Sequence, residues 1–175
     1  MKWQVLMVDS YRNMFNEVEK VLDGLTMEDL HKRPAPGANP IGWLCWHTIR
    51  SCDRLLGDVV LGEQLWISEG WHKKFNRPAD FNDTGSGHSN TQVDALKIPD
   101  ITMLLDYHHA VMGPLLRYIK GLTEPELDRE TPDSQRPGTT RPVHSRLAGV
   151  LNNLQHVGAA GYARGIIKVH GWYGR

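Results

Sequence analysis

Apolar residues recur at three- and four-residue intervals through four long stretches of the chain, the spacing that gathers them on one face of an α-helix. From Gln4 to Gly24 the stripe is Val5, Val8, Tyr11, Phe15, Val18, Val21 and Leu22, and Gly24 supplies a stop. In TMEDL an acid stands at the third position after Thr26, the pattern of a capping box and a short turn of helix, before RPAPGANP breaks the chain. Asn39 as N-cap and Pro40 at the first helical position open a second long helix, striped by Ile41, Leu44, Cys45, Cys52, Leu55, Leu56 and Val59. A third begins at about Asp100 and carries Ile101, Leu104, Leu105, Tyr107, Val111, Leu115, Leu116 and Ile119 ahead of Gly121. A turn capped by Thr123 and a polar, proline-bearing connection lead to a fourth, from near Val143, with Leu147, Val150, Leu151, Leu154, Val157 and Ile166.

Between Glu63 and Pro99 the periodicity fails, and large aromatics mix with Gly, Asn, Asp, Ser and Pro. A stretch of this length inside a compact domain is usually a functional loop or contains short helices. No alternation of the strand type and no internal repeat is visible. The pattern predicts one all-α domain over residues 1–175: a four-helix bundle with a long insertion between helices two and three and a crossover before the fourth.

Composition fits a folded domain, with 40% apolar and 23% charged residues. Twenty basic residues balance twenty acidic ones, so the basic field of a nucleic-acid binder is missing. No apolar run approaches the roughly 20 residues that span a bilayer, and the first residues are too polar for a secretory signal. The expectation is a cytoplasmic protein with no nucleic-acid or membrane partner. Cys45 and Cys52 lie seven residues apart in one helix, about 10.5 Å along its axis, too far for a disulfide. They read as small buried hydrophobes.

The chemistry rests on histidine, of which there are nine. His31 and His144 fall in or beside connections and His170 at a chain end, where solvated surface is expected; His72 and His88 sit in the insertion. His47 and His156 differ because each lies mid-helix among apolar neighbours, in WLCWHTI and NLQHVGAA. Two readings stand for them: core histidines satisfied by a hydroxyl or carbonyl, or metal ligands and general bases. On helix three, Asp106, His108 and His109 are further candidates, and His88 in DTGSGHS sits on a glycine-rich segment able to fold over a bundle end. Asp53 reads as a surface charge. Trp43, Trp46, Trp66, Trp71 and Phe75 suit either a pocket roof or plain core. Gly-Ser-Gly at 85–87 lacks the lysine and the strand-to-helix context of a phosphate loop, and no serine or cysteine stands in a nucleophile signature.

NPIGWLCWHTIRSCDRLLG resembles the second-helix signature of the DinB-like superfamily, and NLQHVGAAGYARGIIKVHGW resembles its fourth-helix signature. The insertion EQLWISEGWHKKFNRPADFNDTGSGHS is similar to that of a subgroup of bacterial DinB proteins. The resemblance implies the DinB/YfiT-like four-helix bundle. It also implies a divalent metal, often zinc or nickel, held by one histidine of helix two and an i, i+4 pair on helix four. His47 matches the first ligand and His156 the last, but the middle position is Asn152, an amide oxygen that binds zinc more weakly than imidazole. His88, His108 and His109 are the candidates to supply a missing nitrogen.

By the same resemblance the expected activity is that of a metal-dependent S-transferase or isomerase using a low-molecular-weight thiol such as bacillithiol or mycothiol. A small-molecule substrate and a homodimer are implied with it. The alternative is a non-catalytic small-ligand-binding or stress-associated dimeric bundle with a degenerate metal site, which Asn152 favours.

Overall fold

The computed structural model describes residues 2–168. Their helices are α1 (Trp3–Leu22), α2 (Met27–His31), α3 (Ile41–Leu56), α4 (Leu65–Ser68), α5 (Trp71–Lys74), α6 (Asn90–Ala95), α7 (Ile101–Gly121), α8 (Glu124–Leu127), α9 (Val143–Leu147) and α10 (Val150–Ile167). His170, expected at the surface, lies outside the described residues.

The four long helices α1, α3, α7 and α10 form the bundle. Both α1 and α3 pack against α7 and α10, so α1 and α3 occupy one diagonal and α7 and α10 the other. The connections α1 to α3 and α7 to α10 therefore both cross the bundle, whereas the pattern of the sequence indicated one crossover. The stripe from Ile41 to Val59 is buried as its spacing predicts, α3 continuing past Leu56 as a π-helical turn, Gly57–Leu61, that carries Val59, and α7 buries Leu104, Tyr107, Val111, Leu115 and Ile119. In α1 the stripe holds except at Val5, which is exposed.

Local signals fix most helix starts. Thr26 and Asp29 form a reciprocal capping box at α2, Thr123 and Glu126 another at α8, and the Asp100 side chain accepts from the Thr102 amide at α7. Pro40 itself occupies the N-cap of α3, one residue later than expected, because the preceding chain stays extended up to Ile41. The fourth helix is broken: α9 ends at Ala148 and Gly149 and α10 starts afresh at Val150. Leu151, Leu154 and Ile166, counted in its stripe, are exposed, since the face of α10 turned to the core is Val150, Asn153, Val157, Ala160 and Ala163.

The connection before α9 contains a two-stranded antiparallel ladder, β1 (Glu130–Pro132) with β2 (Thr140–Pro142), pairing Glu130 with Pro142. Strands of three residues bounded by prolines carry too little alternation to register in the sequence. Both cysteines are free and buried, as expected. Among the described residues no helix is long and apolar enough to cross a membrane.

The insertion folds into α4, α5 and α6 joined by turns and is seated on the bundle by aromatic rings. Trp66, Trp71 and Phe75 surround Tyr107 of α7 with ring centroids 5.8, 5.0 and 5.8 Å away. These side chains are core rather than pocket roof. Asp53 is a correction to the sequence reading: it is fully buried, not a surface charge. Its carboxylate accepts from the Leu65 and Trp66 amides (2.8 Å each), from Tyr107 Oη (2.6 Å) and from Arg50 (3.1 Å). Those amides are unsatisfied donors at the start of α4, so an acid reaching over from α3 serves as the cap that α4 lacks in its own sequence.

Candidate metal and ligand centre

His47 and His156 meet between α3 and α10, the rings edge to face with centroids 4.6 Å apart. Each is carried there by helix register: α3 and α10 are packed neighbours, and both residues lie on the shared seam. His47 is buried and His156 half-buried.

The His47 ring is held on three sides. Nδ1 lies 2.5 Å from the Thr84 carbonyl oxygen, which only accepts, so Nδ1 carries the proton and Nε2 keeps its lone pair. Trp43 stacks on the ring at 4.9 Å and 14°. Gly85 closes the third side with φ +92°, where a Cβ would meet Trp43 at 3.0 Å, His47 Nδ1 at 3.1 Å and Trp46 at 3.1 Å. Only glycine lets the insertion pass this close in this conformation. Burial under this roof lowers the His47 pKa to about 4, the Thr84 bond opposing it and His156, Arg54 and His88 adding to it. Burial also lowers that of His156. Both imidazoles are therefore neutral near pH 7, the state that ligates a metal or accepts a proton.

Asn152, one turn before His156, puts its amide nitrogen 3.2 Å from His156 Nε2. With the amide donating, that ring nitrogen is the acceptor. Rotation of the amide would instead turn its oxygen toward the same point. Asn152 is exposed and meets His156 from the solvent side of α10.

The remaining candidates do not join them. His88 lies beside the centre but uses both ring nitrogens: Trp43 Nε1 donates to Nδ1 (3.3 Å) and Nε2 donates to Asp83 (3.2 Å). It braces the roof and has no lone pair to spare. His108 is buried edge-on to Phe15 of α1 at 4.9 Å, and exposed His109 bonds Glu19 at 2.8 Å, both turned toward α1. Asp106 is exposed. His72 is buried in the insertion with Nδ1 2.8 Å from the Trp66 carbonyl. His31, expected to be solvated, accepts from the Ile98 amide at 2.9 Å and ties the end of the insertion to α2; His144 is exposed as expected. Among the described residues no three His, Cys, Asp or Glu side chains gather as a metal site.

Arg50 is the residue that sequence reasoning passed over. Fully buried one turn after His47, it donates to the Asp83 carbonyl (3.0 Å), the Phe81 carbonyl (3.3 Å), Gln64 (2.8 Å) and Asp53 (3.1 Å), with its guanidinium 4.4 Å above the Trp66 ring. It pins residues 81–83 and thereby presents Thr84 to His47. Its signal was an Arg and an Asp three residues apart inside an otherwise apolar stripe, a buried ion pair in outline. Beside His156 a cavity of about 380 Å³ opens onto apolar side chains, among them Leu44, Tyr162 and Ile166.

A family model described as the DinB superfamily matches residues 10–158. A conserved protein of Enterococcus faecalis, known from its crystal structure, is similar over 95% of this chain and 98% of its own, with a TM-score of 0.80 at 23% identity. No curated protein matches. The helix signatures around His47 and His156, the matched family model and the shared architecture agree: the chain belongs to the DinB superfamily.

Proposed function

We propose that the His47–His156 seam binds a divalent cation, zinc or nickel, and that the protein is a metal-dependent enzyme acting on small molecules through a low-molecular-weight thiol, as an S-transferase or isomerase. The observation that carries this reading is the fixed tautomer of His47: a ring whose Nδ1 is spoken for by the Thr84 carbonyl keeps Nε2 free beside a second neutral imidazole. A carbonyl holding the far nitrogen is the usual outer support of a ligating histidine. The donor types fit such an ion: two neutral imidazoles with ring centroids 4.6 Å apart, and an Asn152 amide beside His156 that would offer its oxygen on rotation. A bound ion would lower the pKa of a thiol sulfur and favour thiolate near neutral pH. The protein's share is to keep both imidazoles neutral, to shield His47 from water, and to offer an apolar cavity beside His156 for the rest of a substrate.

A second reading has its own support. The Asn152 amide already meets His156 Nε2, an arrangement that suits a pocket binding a small ligand by hydrogen bonds with no metal. Titration calorimetry of zinc and nickel into untagged protein decides between them. The enzyme reading expects stoichiometric binding, lost in His47→Ala, and an affinity raised about 10–100-fold in Asn152→His. No heat in the wild type at any concentration that leaves it folded favours the second reading.

A further inference from the structure

The seam between α3 and α10 does not end at the histidines. His47, Ser51 and Arg54 stand at successive turns of α3, and Asn153 and Gly149 accompany them on the α10 side. Beyond Ser51 the seam widens into a second cavity of about 380 Å³, whose charged and polar lining includes Arg54, Arg141, Arg146, Ser51, Ser145 and Asn153. That volume falls within the range of small-ligand pockets, about 300–1,000 Å³.

The three arginines are not equivalent. Arg146 is spent on Asp58 (2.9 Å) and on Thr131 Oγ1 (2.6 Å) and the Thr131 and Pro132 carbonyls. Exposed Arg141 is steadied by Ser145 Oγ at 2.8 Å and keeps donors for the cavity rim. Half-buried Arg54 makes no side-chain hydrogen bond and no ion pair within 4 Å among the described residues. It feels Asp58 and Asp133 through space, yet its desolvation outweighs them. A guanidinium with five donors is costly to desolvate without an acceptor. Asn153 adds a buried Oδ1 with no partner, an acceptor that suits a hydroxyl of the same ligand and not its oxyanion, while its amide donates to Cys52 Sγ at 3.3 Å.

We propose that this cavity is a binding site for the oxyanion of a small molecule, a carboxylate or a phosphate, received by Arg54 and Arg141. The site lies about 10 Å along α3 from His47, so one metabolite-sized ligand reaches both. That second step rests on the reading of the histidines given above and names its substrate class: an anionic small molecule, its charged end at Arg54 and its reacting end at His47 and His156. The charge of Arg54 already reaches His47 and is one of the influences holding that ring neutral.

Inorganic phosphate and succinate, titrated calorimetrically into the full-length protein at low ionic strength, test the site and separate the two anion classes. Saturable binding of either is expected, weakened about tenfold or more in Arg54→Gln by loss of a charge-assisted contact and partly kept in Arg54→Lys. Arg141→Gln, at the exposed rim, weakens it less. Zinc titration of the same preparations keeps the two readings apart: His47→Ala loses zinc and retains the anion, while Arg54→Gln does the reverse. In the wild type, the Arg54 Nε–Hε resonance must move as phosphate is added, a readout independent of whether any variant folds. Absence of saturable binding of both anions, an unmoved Arg54 resonance, or equal binding by a folded Arg54→Gln overturns the proposal.

Discussion

Gly85 is the position where the insertion presses hardest on the candidate centre, and Gly85→Ala turns that closeness into a measurement. At φ +92° an alanine is strained before it touches anything, and its Cβ would then stand 3.0–3.1 Å from Trp43, His47 and Trp46. The backbone strain is worth about 1–3 kcal/mol and crowding of rigid rings about 1–3 kcal/mol more. None of the three neighbours is a flexible chain end, so relief requires the segment 83–88 to lift. We expect a net loss of about 2–4 kcal/mol in urea unfolding, the lifted segment recovering part of the sum. Lifting also rehydrates His47, whose pKa of about 4 is set first by burial. The loss of the Thr84 bond acts the other way but is the smaller effect, so the His47 Cε1 proton should titrate closer to the ordinary value of about 6.5. An alanine variant with stability within ~0.5 kcal/mol of the wild type and an unmoved His47 titration would refute the account of the roof.

Acid should unfold the protein early. His47 and His108 both have native pKa values of about 4, lowered first by burial. The unfolded chain, with histidines near 6.5, binds more protons between the two values, so stability is full above pH 6.5 and falls as pH drops toward 4, by about 3 kcal/mol for each ring. Urea midpoints at several pH values should show this, and His108→Phe should flatten the slope; an unchanged slope counts against a neutral buried His108. Asp53→Ala strands Arg50 and uncaps α4, for an expected cost of about 3–5 kcal/mol, with hydrogen exchange accelerated at the Leu65 and Trp66 amides ahead of the bundle. Cys45 and Cys52, their thiols pushed up to about 12 by burial, should resist alkylation at pH 8 until the chain unfolds; rapid labelling of the native protein would contradict their burial.

The bundle was legible because its signals are local. Periodicity in α1, α3 and α7 and capping pairs at Thr26 and Thr123 depend on residues within one or two turns, and the structure repeats them nearly position for position. What failed were judgements that depend on distant chain. Leu151, Leu154 and Ile166 have helical spacing yet are exposed, because α10 turns its small residues Ala160 and Ala163 to the core instead. The second diagonal connection is invisible to any pattern of apolar residues, since it is a property of where α1 and α3 come to rest.

The candidate centre divides along the same line. His47, Asn152 and His156 were readable because a helix fixes which residues share a face, so the i, i+4 spacing of Asn152 and His156 is already a statement about geometry. Thr84 and Gly85 were not: DTGSGHS reads as turn chemistry, and nothing within the segment says that its Thr84 carbonyl oxygen will meet a histidine 37 residues earlier. That meeting is arranged by Arg50, which was hidden as one charge on an apolar helix. The consequence is chemical as much as structural. Two histidines on a bare bundle seam would be hydrated and would titrate near pH 6.5, partly protonated and poor ligands in mildly acid conditions. Here the insertion supplies both the dryness that keeps His47 neutral and the carbonyl that chooses its tautomer. The bundle brings the two rings together, but the ionisation and orientation of His47 belong to residues 81–88, and so do the substitutions that should alter its chemistry without unfolding the bundle.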